Sequence, residues 1–313
     1  MTVIGLAKTT ATVLVIAIEF LRRRKFPFPR YGWAGLVLLL TAEVLLFQRV
    51  WPVTIYFTPI AWTAYLLIVD AMIFSIRGRS RLHDSPIQLV WMAIFSIPLW
   101  LIFEAYNLRL ANWTYVGLPE NTAARLLGYA WSFATISPAI LLTGELVESF
   151  GWFKPSNPLR FSRTTQNAMI AFGTACLVIP LVLPQWLAAY LFALLWVGFV
   201  FLLDPIHHKL GLPSLLTDLA SGYRGRLWSL FLSGWVCGWL WEFWNYWAAA
   251  KWHYVFPILQ EWKIFEMPIP GYLGFLPFAL ECFVMYVSAS WVTKTLASRK
   301  AERSASRVPG LEL

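Results

Sequence analysis

The sequence predicts an all-α, polytopic helical membrane protein, and three observations carry that prediction. The 313 residues are 59% hydrophobic and only 13% charged, about half the charge of a soluble domain. Apolar runs of about 18 to 25 residues recur along the whole chain, each able to cross ~30 Å of hydrocarbon as a helix. Basic residues return after every second run, as expected of loops held on one side of a bilayer.

Nine spans follow in order, near residues 5–22, 33–51, 55–76, 87–107, 127–149, 166–183, 186–204, 227–248 and 271–293. Arg22, Arg23, Arg24 and Lys25 follow the first span, Arg77, Arg79 and Arg81 the third, and Lys154, Arg160 and Arg163 the fifth. Lys209, Arg224 and Arg226 follow the seventh span, and Lys294, Arg299 and Lys300 the ninth. Counted by the positive-inside rule, the N-terminus lies outside and the C-terminus in the cytoplasm, with a bacterial inner membrane as the expected location. The first run has its positive charges after the apolar stretch rather than before it, so it reads as a span and not as a cleaved signal peptide. The formal charge of +9 is then assigned to topology and anionic lipid headgroups rather than to nucleic acid.

A second pattern is an internal repeat. Trp62 and Asp70 are separated as Trp196 and Asp204 are. Glu104, Asn107, Trp113 and Tyr115 recur as Glu242, Asn245, Trp252 and Tyr254. Gly128-Tyr129 matches Gly271-Tyr272, and Pro138 with Glu145 matches Pro277 with Glu281. Repetition in the same order indicates two parallel four-helix units, residues 31–165 and 166–293, related by an axis along the membrane normal. Residues 1–30 hold an extra N-terminal span, and residues 294–313 are expected to form a disordered cytoplasmic tail.

The repeated phrase places a Glu and an Asn one helical turn apart at the outer ends of spans four and eight, with Trp-x-Tyr in the loops beyond. Glu104, Asn107, Glu242 and Asn245 are expected to face the interior, with Trp113, Tyr115, Trp252 and Tyr254 closing over them. The bland alternative is that each Asn ties down its own loop and each Trp or Tyr anchors at the interface. Glu281 stands deepest, near the middle of span nine, where an ionised carboxylate costs at least about 2.5–3.5 kcal/mol. It must be paired, face a cavity, or stay protonated, and Pro277 four residues before it is expected to disturb the helix and free a carbonyl. Asp70, Asp204, Glu145 and Glu148 lie toward cytoplasmic ends beside basic residues, where salt bridges or interfacial placement account for them. His83, His207, His208 and His253 have no metal-binding spacing, and the cysteines Cys176, Cys237 and Cys282 fall apart along the chain. No metal and no cofactor motif is expected.

The run Glu242, Asn245-Tyr246, Trp252-x-Tyr254, Glu266-x-Pro268, Gly271-Tyr272, Pro277 and Glu281 resembles the motif order of the membrane-embedded, cofactor-independent carotenoid lycopene cyclases. The resemblance covers about forty residues of the C-terminal half, with a fainter copy in the N-terminal half. Glu242 stands where that family prefers Asp, and Glu281 replaces a Pro-x-Glu-Glu stretch. It implies an enzyme acting on an isoprenoid or polyene lipid, in which a carboxylic acid protonates a double bond and aromatic faces stabilise the cation. Glu281, Glu242 and Glu104 are then the candidate acids. Asn107, Asn245, Trp113, Tyr115, Trp252 and Tyr254 are the candidate substrate-binding residues. A transporter or small-ligand binder with its site between two pseudo-symmetric halves fits the repeat and the midplane acid equally well, and a scaffold whose motifs only lock loops is the third reading.

Overall fold

The computed structural model describes residues 1–305. Within them the chain runs α1 (Thr2–Arg23), α2 (Arg30–Phe47), α3 (Val53–Arg77), the single turn α4 (Arg81–Asp84), α5 (Pro86–Leu110), β1 (Trp113–Val116) and α6 (Thr122–Ser149). It continues with α7 (Arg163–Val182), the single turn α8 (Gln185–Ala188), α9 (Phe192–Lys209), the short α10 (Leu215–Ala220), α11 (Gly225–Trp247) and β2 (Lys251–Tyr254). The two-residue strands β3 (Lys263–Ile264) and β4 (Met267–Pro268), a 3-10 helix (Ile269–Gly274) and α12 (Phe275–Ala305) complete it.

Nine of these helices have 18 residues or more among the described residues, as the sequence predicts. The protein is an all-α polytopic helical membrane protein. Eight helices are long and apolar enough to cross a bilayer by length and mean hydropathy alone. The ninth, α11, falls short because its 23 residues include Trp228, Trp235, Trp239, Trp241, Trp244 and Trp247, which a hydropathy scale counts as weakly polar. It is nevertheless among the most enclosed helices, with Trp239, Trp241 and Trp244 all buried. Val13, Leu14, Val15, Val37, Leu40 and Leu101 are exposed on the outer helices α1, α2 and α5. Apolar surface on that scale suits lipid and not water.

Two halves pack in the same way. α2 lies against α3 as α7 lies against α9; α5 against α6 as α11 against α12; α3 against α6 as α9 against α12. α6 and α11 form the main seam between the halves, and α1 packs onto α11 from outside the pattern. Close helix crossings rest on small residues. A Cβ on Gly35 of α2 would come within 2.9 Å of the Ala64 carbonyl, and one on Gly173 of α7 within 2.7 Å of the Gly198 carbonyl. Ala64 and Gly198 both stand two residues after the repeated Trp.

The repeated aspartates, for which salt bridges or interfacial placement were the two expectations, are fixed by hydrogen bonds. Asp70 accepts from the Leu82 backbone N–H (3.0 Å), Ser80 Oγ (2.6 Å) and the Tyr31 hydroxyl (2.8 Å). Asp204 accepts from the backbone N–H groups of Leu215 (2.7 Å) and Leu216 (2.9 Å). Each therefore binds the start of the short helix that follows, α4 or α10, where unpaired N–H groups await a partner. Ser80 and Ser214 cap those helices, and each lies ten residues after its aspartate. Of the other carboxylates, Glu145 pairs with Arg81, and Glu148 accepts from the Tyr223 hydroxyl.

Three expectations need correction. The seventh span begins at Phe192 rather than 186, because Pro184 stops α7 and the chain inserts the single turn α8. Pro277 sits in the first turn of α12, where the missing N–H has no acceptor to lose, so it does not disturb the helix. Residues 294–305 continue α12 rather than forming a disordered tail; the remainder of that expectation lies outside the described residues.

Candidate functional site

The two Trp-x-Tyr motifs, expected in loops, form a two-stranded antiparallel ribbon instead. Trp113 pairs with Tyr254, Thr114 with His253, Tyr115 with Trp252 and Val116 with Lys251. The three central pairs are self-complementary under the repeat: exchanging Trp113, Thr114 and Tyr115 for Trp252, His253 and Tyr254 returns the same pairs. A local two-fold axis therefore passes through the ribbon between Thr114 and His253. Strand alternation puts Trp113, Tyr115, Trp252 and Tyr254 on one face and Thr114 and His253 on the other.

Each repeated Asn holds its own strand in place. Asn107 Nδ2 donates to the Trp113 carbonyl at 2.9 Å, and its Oδ1 accepts from the backbone N–H of Asn112 at 2.8 Å and of Trp113 at 3.2 Å. Asn245 Nδ2 donates to the Trp252 carbonyl at 2.9 Å, and its Oδ1 accepts from the Trp252 N–H at 3.0 Å. Both amides bond the backbone of their own strand, as the loop-tying reading expects. The far end of β1 requires Gly117. Its φ is +67°, and a Cβ there would stand 2.1 Å from the Ala249 carbonyl.

The ribbon roofs a cavity of about 140 Å³ lying between the halves. Trp113, Tyr115, Trp252 and Tyr254 all line it, as do Trp62 and Trp100 deeper in. Ring contacts cross the seam: Trp100 and Trp241 have centroids 5.9 Å apart, and Trp62 and Trp241 5.7 Å. Phe278 meets both Trp100 (6.0 Å) and Trp241 (6.2 Å). Such a wall presents many π faces and few polar groups.

The repeated glutamates stand behind this wall, each bonded to the tyrosine of its own half. The Tyr115 hydroxyl donates to Glu104 Oε1 at 2.5 Å, and the Tyr254 hydroxyl donates to Glu242 Oε1 at 2.9 Å. Burial, followed by the adjacent carboxylate, pushes both tyrosine hydroxyls far above their usual range, so both remain protonated donors. The halves differ in what else they supply. Glu104 Oε1 also accepts from the indole N–H of Trp100 at 2.8 Å and of Trp113 at 3.3 Å. Glu242 has neither. The position equivalent to Trp100 is Gly238, four residues before the acid, and the Trp252 indole donates to the Tyr254 hydroxyl at 2.9 Å instead. Glu242 is fully buried, and its Oε2 meets no donor.

Glu281 departs from the sequence reading. It was expected to share the space under the ribbon with Glu242, but it does not line the cavity. Phe275 and Phe278 do, while Glu281 lies around the helix on the side of Phe199 of α9 and Tyr106 of α5. It is fully buried, and neither carboxylate oxygen has a hydrogen-bond donor. Sequence reasoning also passed over His207, buried in α9, whose Nε2 lies 2.8 Å from Ser288 Oγ of α12.

Among the described residues no cluster of His, Cys, Asp or Glu has the geometry to hold a metal ion. Comparison with protein-family models, with curated proteins and with solved structures finds no match. The site is therefore read from its own geometry.

Proposed function

We propose that the protein is a membrane enzyme that binds an isoprenoid or polyene chain in the aromatic cavity and protonates one of its double bonds through the Tyr254–Glu242 pair. The observation that carries this reading is the coupling of a π-lined apolar cavity to a buried carboxyl group through a single hydroxyl. Aromatic faces stabilise a carbocation, and a carboxyl group behind a tyrosine supplies and recovers the proton. The acid form of Glu242 leaves no unpaired charge in the apolar interior.

The chemistry balances without a further reactant. For the transfer the protonated Glu242 carboxyl group donates to the Tyr254 oxygen, the reverse of the bond in the structure, and the Tyr254 hydroxyl turns to the alkene. Its proton forms a C–H bond with one alkene carbon from the π pair while the Glu242 proton passes to Tyr254. The neighbouring carbon becomes cationic and is attacked by another double bond of the same chain, or loses an adjacent proton. Proton loss to the Tyr254–Glu242 pair regenerates the acid and yields a cyclised or shifted alkene. This retains the class of reaction that the likeness to lycopene cyclases implies but moves the acid from Glu281 to Glu242. Glu104, whose Oε1 accepts from three donors, serves as a fixed acceptor that holds the roof.

Basic residues cluster after α1, α3, α6 and α9 and in the last turns of α12, which favours a cytoplasmic position for that end and an outward-facing ribbon, in a bacterial inner membrane. The test of function is incubation of purified protein with acyclic isoprenoids in D₂O, followed by mass spectrometry. One carbon-bound deuteron in the product, absent with Glu242→Gln, supports the reading. Saturable binding with no deuterium in any product supports the carrier reading instead.

A further inference from the structure

The rim of the cavity has a chemistry different from its walls. Below the ribbon the lining is aromatic and aliphatic, but at the mouth it includes Arg125 and Lys251. Arg125 lies on the second turn of α6, one turn before Gly128 and Tyr129, which also line the cavity. Its guanidinium makes no ion pair and no side-chain hydrogen bond among the described residues, whereas Arg81, Arg23 and Arg226 all do. Lys251 of β2 projects with His253 from the outer face of the ribbon and shares Glu266 with it: Lys251 Nζ lies 2.8 Å from one oxygen and His253 Nδ1 2.8 Å from the other, and Lys251 Nζ also donates to the Tyr246 carbonyl at 3.1 Å. Lys263 adds a further cation behind it, donating to the Tyr254 carbonyl at 3.2 Å. Of the nearby acids, Glu266 is committed to Lys251 and His253, and Glu120 is exposed and off the lining. The mouth therefore carries a net positive charge with one guanidinium unpaired, above an apolar chamber.

We infer that the ligand is an amphiphile: an apolar isoprenoid chain in the aromatic chamber, with an anionic phosphate or carboxylate head held at the rim by Arg125. The inference rests on the proposed lipid-binding reading and narrows it, because a pure hydrocarbon has nothing to offer the rim. A guanidinium suits this role, since its planar fork binds phosphate or carboxylate oxygens with two parallel bonds. The N-terminus of α6 lies at the same rim and adds a favourable partial charge. Held by its head, a chain would enter with its first double bonds nearest Tyr254, placing the alkene close to the proton donor.

The test uses the full protein in a non-ionic detergent and reads the fluorescence of the six tryptophans that line the cavity. Farnesol, farnesyl phosphate, farnesoic acid and inorganic phosphate are titrated separately. Farnesyl phosphate or farnesoic acid is expected to bind about tenfold or more tighter than farnesol, as suits hydrogen bonds to a charged group. Which of the two binds tighter identifies the head. Arg125→Gln should erase that preference while leaving farnesol binding and the melting temperature unchanged. Equal affinity for farnesol and both anions, or a preference that survives Arg125→Gln, overturns the anionic-head inference while leaving the cavity reading intact. A saturable response to inorganic phosphate alone also overturns it, since a head without a chain should not bind. No saturable response to farnesol or to either anion removes the cavity reading itself, and the inference with it.

Discussion

The Tyr254 hydroxyl lies 2.9 Å from Glu242 Oε1, and the other oxygen of that buried carboxyl group has no donor at all. The matching pair in the first half, Tyr115 and Glu104, is backed by Trp100 and Trp113. The repeated motif thus has three donors on its carboxyl group in the first half and one in the second. Groups left short of partners in a buried site are where chemistry is expected.

That asymmetry predicts unequal effects of removing each hydroxyl. Tyr254→Phe leaves Glu242 with no partner and should destabilise by about 1–3 kcal/mol, the cost of an orphaned buried polar group. Tyr115→Phe leaves two indole donors on Glu104 and should cost less. Thermal unfolding of the two variants in the same detergent gives the comparison; equal losses would contradict the asymmetry.

The asparagines predict a structural phenotype. Asn107→Ala and Asn245→Ala each remove bonds to backbone at the start of a strand, at a cost of about 1–3 kcal/mol each. Hydrogen exchange should rise in residues 113–116 and 251–254 in both variants, because either strand alone has no partner. Exchange confined to the substituted half would show that the strands are held independently.

Gly117→Ala and Gly234→Ala test close backbone approaches. A Cβ on Gly117 would lie 2.1 Å from the Ala249 carbonyl at a left-handed φ, and one on Gly234 would lie 2.0 Å from the Phe275 carbonyl between α11 and α12. Both should destabilise by at least the ~1–3 kcal/mol typical of overpacking. Gly128→Ala, whose Cβ would meet only the edge of Tyr56 at 3.3 Å, should be milder. A melting series that ranks Gly128 worst would contradict the packing described.

Glu281→Gln separates depth in the membrane from participation in the site. Its carboxyl group faces away from the cavity, so the variant should turn over normally and melt at an equal or higher temperature, a buried ionisable group having been replaced by a neutral one. Glu242→Gln should fold and bind but lose turnover. Loss of turnover in Glu281→Gln with normal binding would return the acid role to Glu281.

The helices and the duplicated motifs were legible in the sequence because apolar length and spacing survive as linear patterns. The helical face of Glu281 was not, since linear depth says nothing about direction: Phe275, Phe278 and Cys282 follow one face, and Glu281 is rotated about 100° from Cys282. The ribbon was hidden because four-residue strands in aromatic loops read as interface anchors, and their partner lies more than a hundred residues away. The aspartate ties were half visible. Asp70 and Ser80 have the same separation as Asp204 and Ser214, a spacing that marks two capped turns once noticed.

The central claim is that both copies of the motif roof one cavity that holds an isoprenoid chain. Mass spectrometry of the organic extract from detergent-purified protein tests it most directly, with Ser132→Trp, a substitution on the cavity lining, as the comparison. An isoprenoid is expected in near-equimolar amount in the wild-type protein, and to be lost from a Ser132→Trp variant of unchanged melting temperature. An extract holding only bulk membrane lipid, or the same isoprenoid retained in equal amount by that variant, would contradict it.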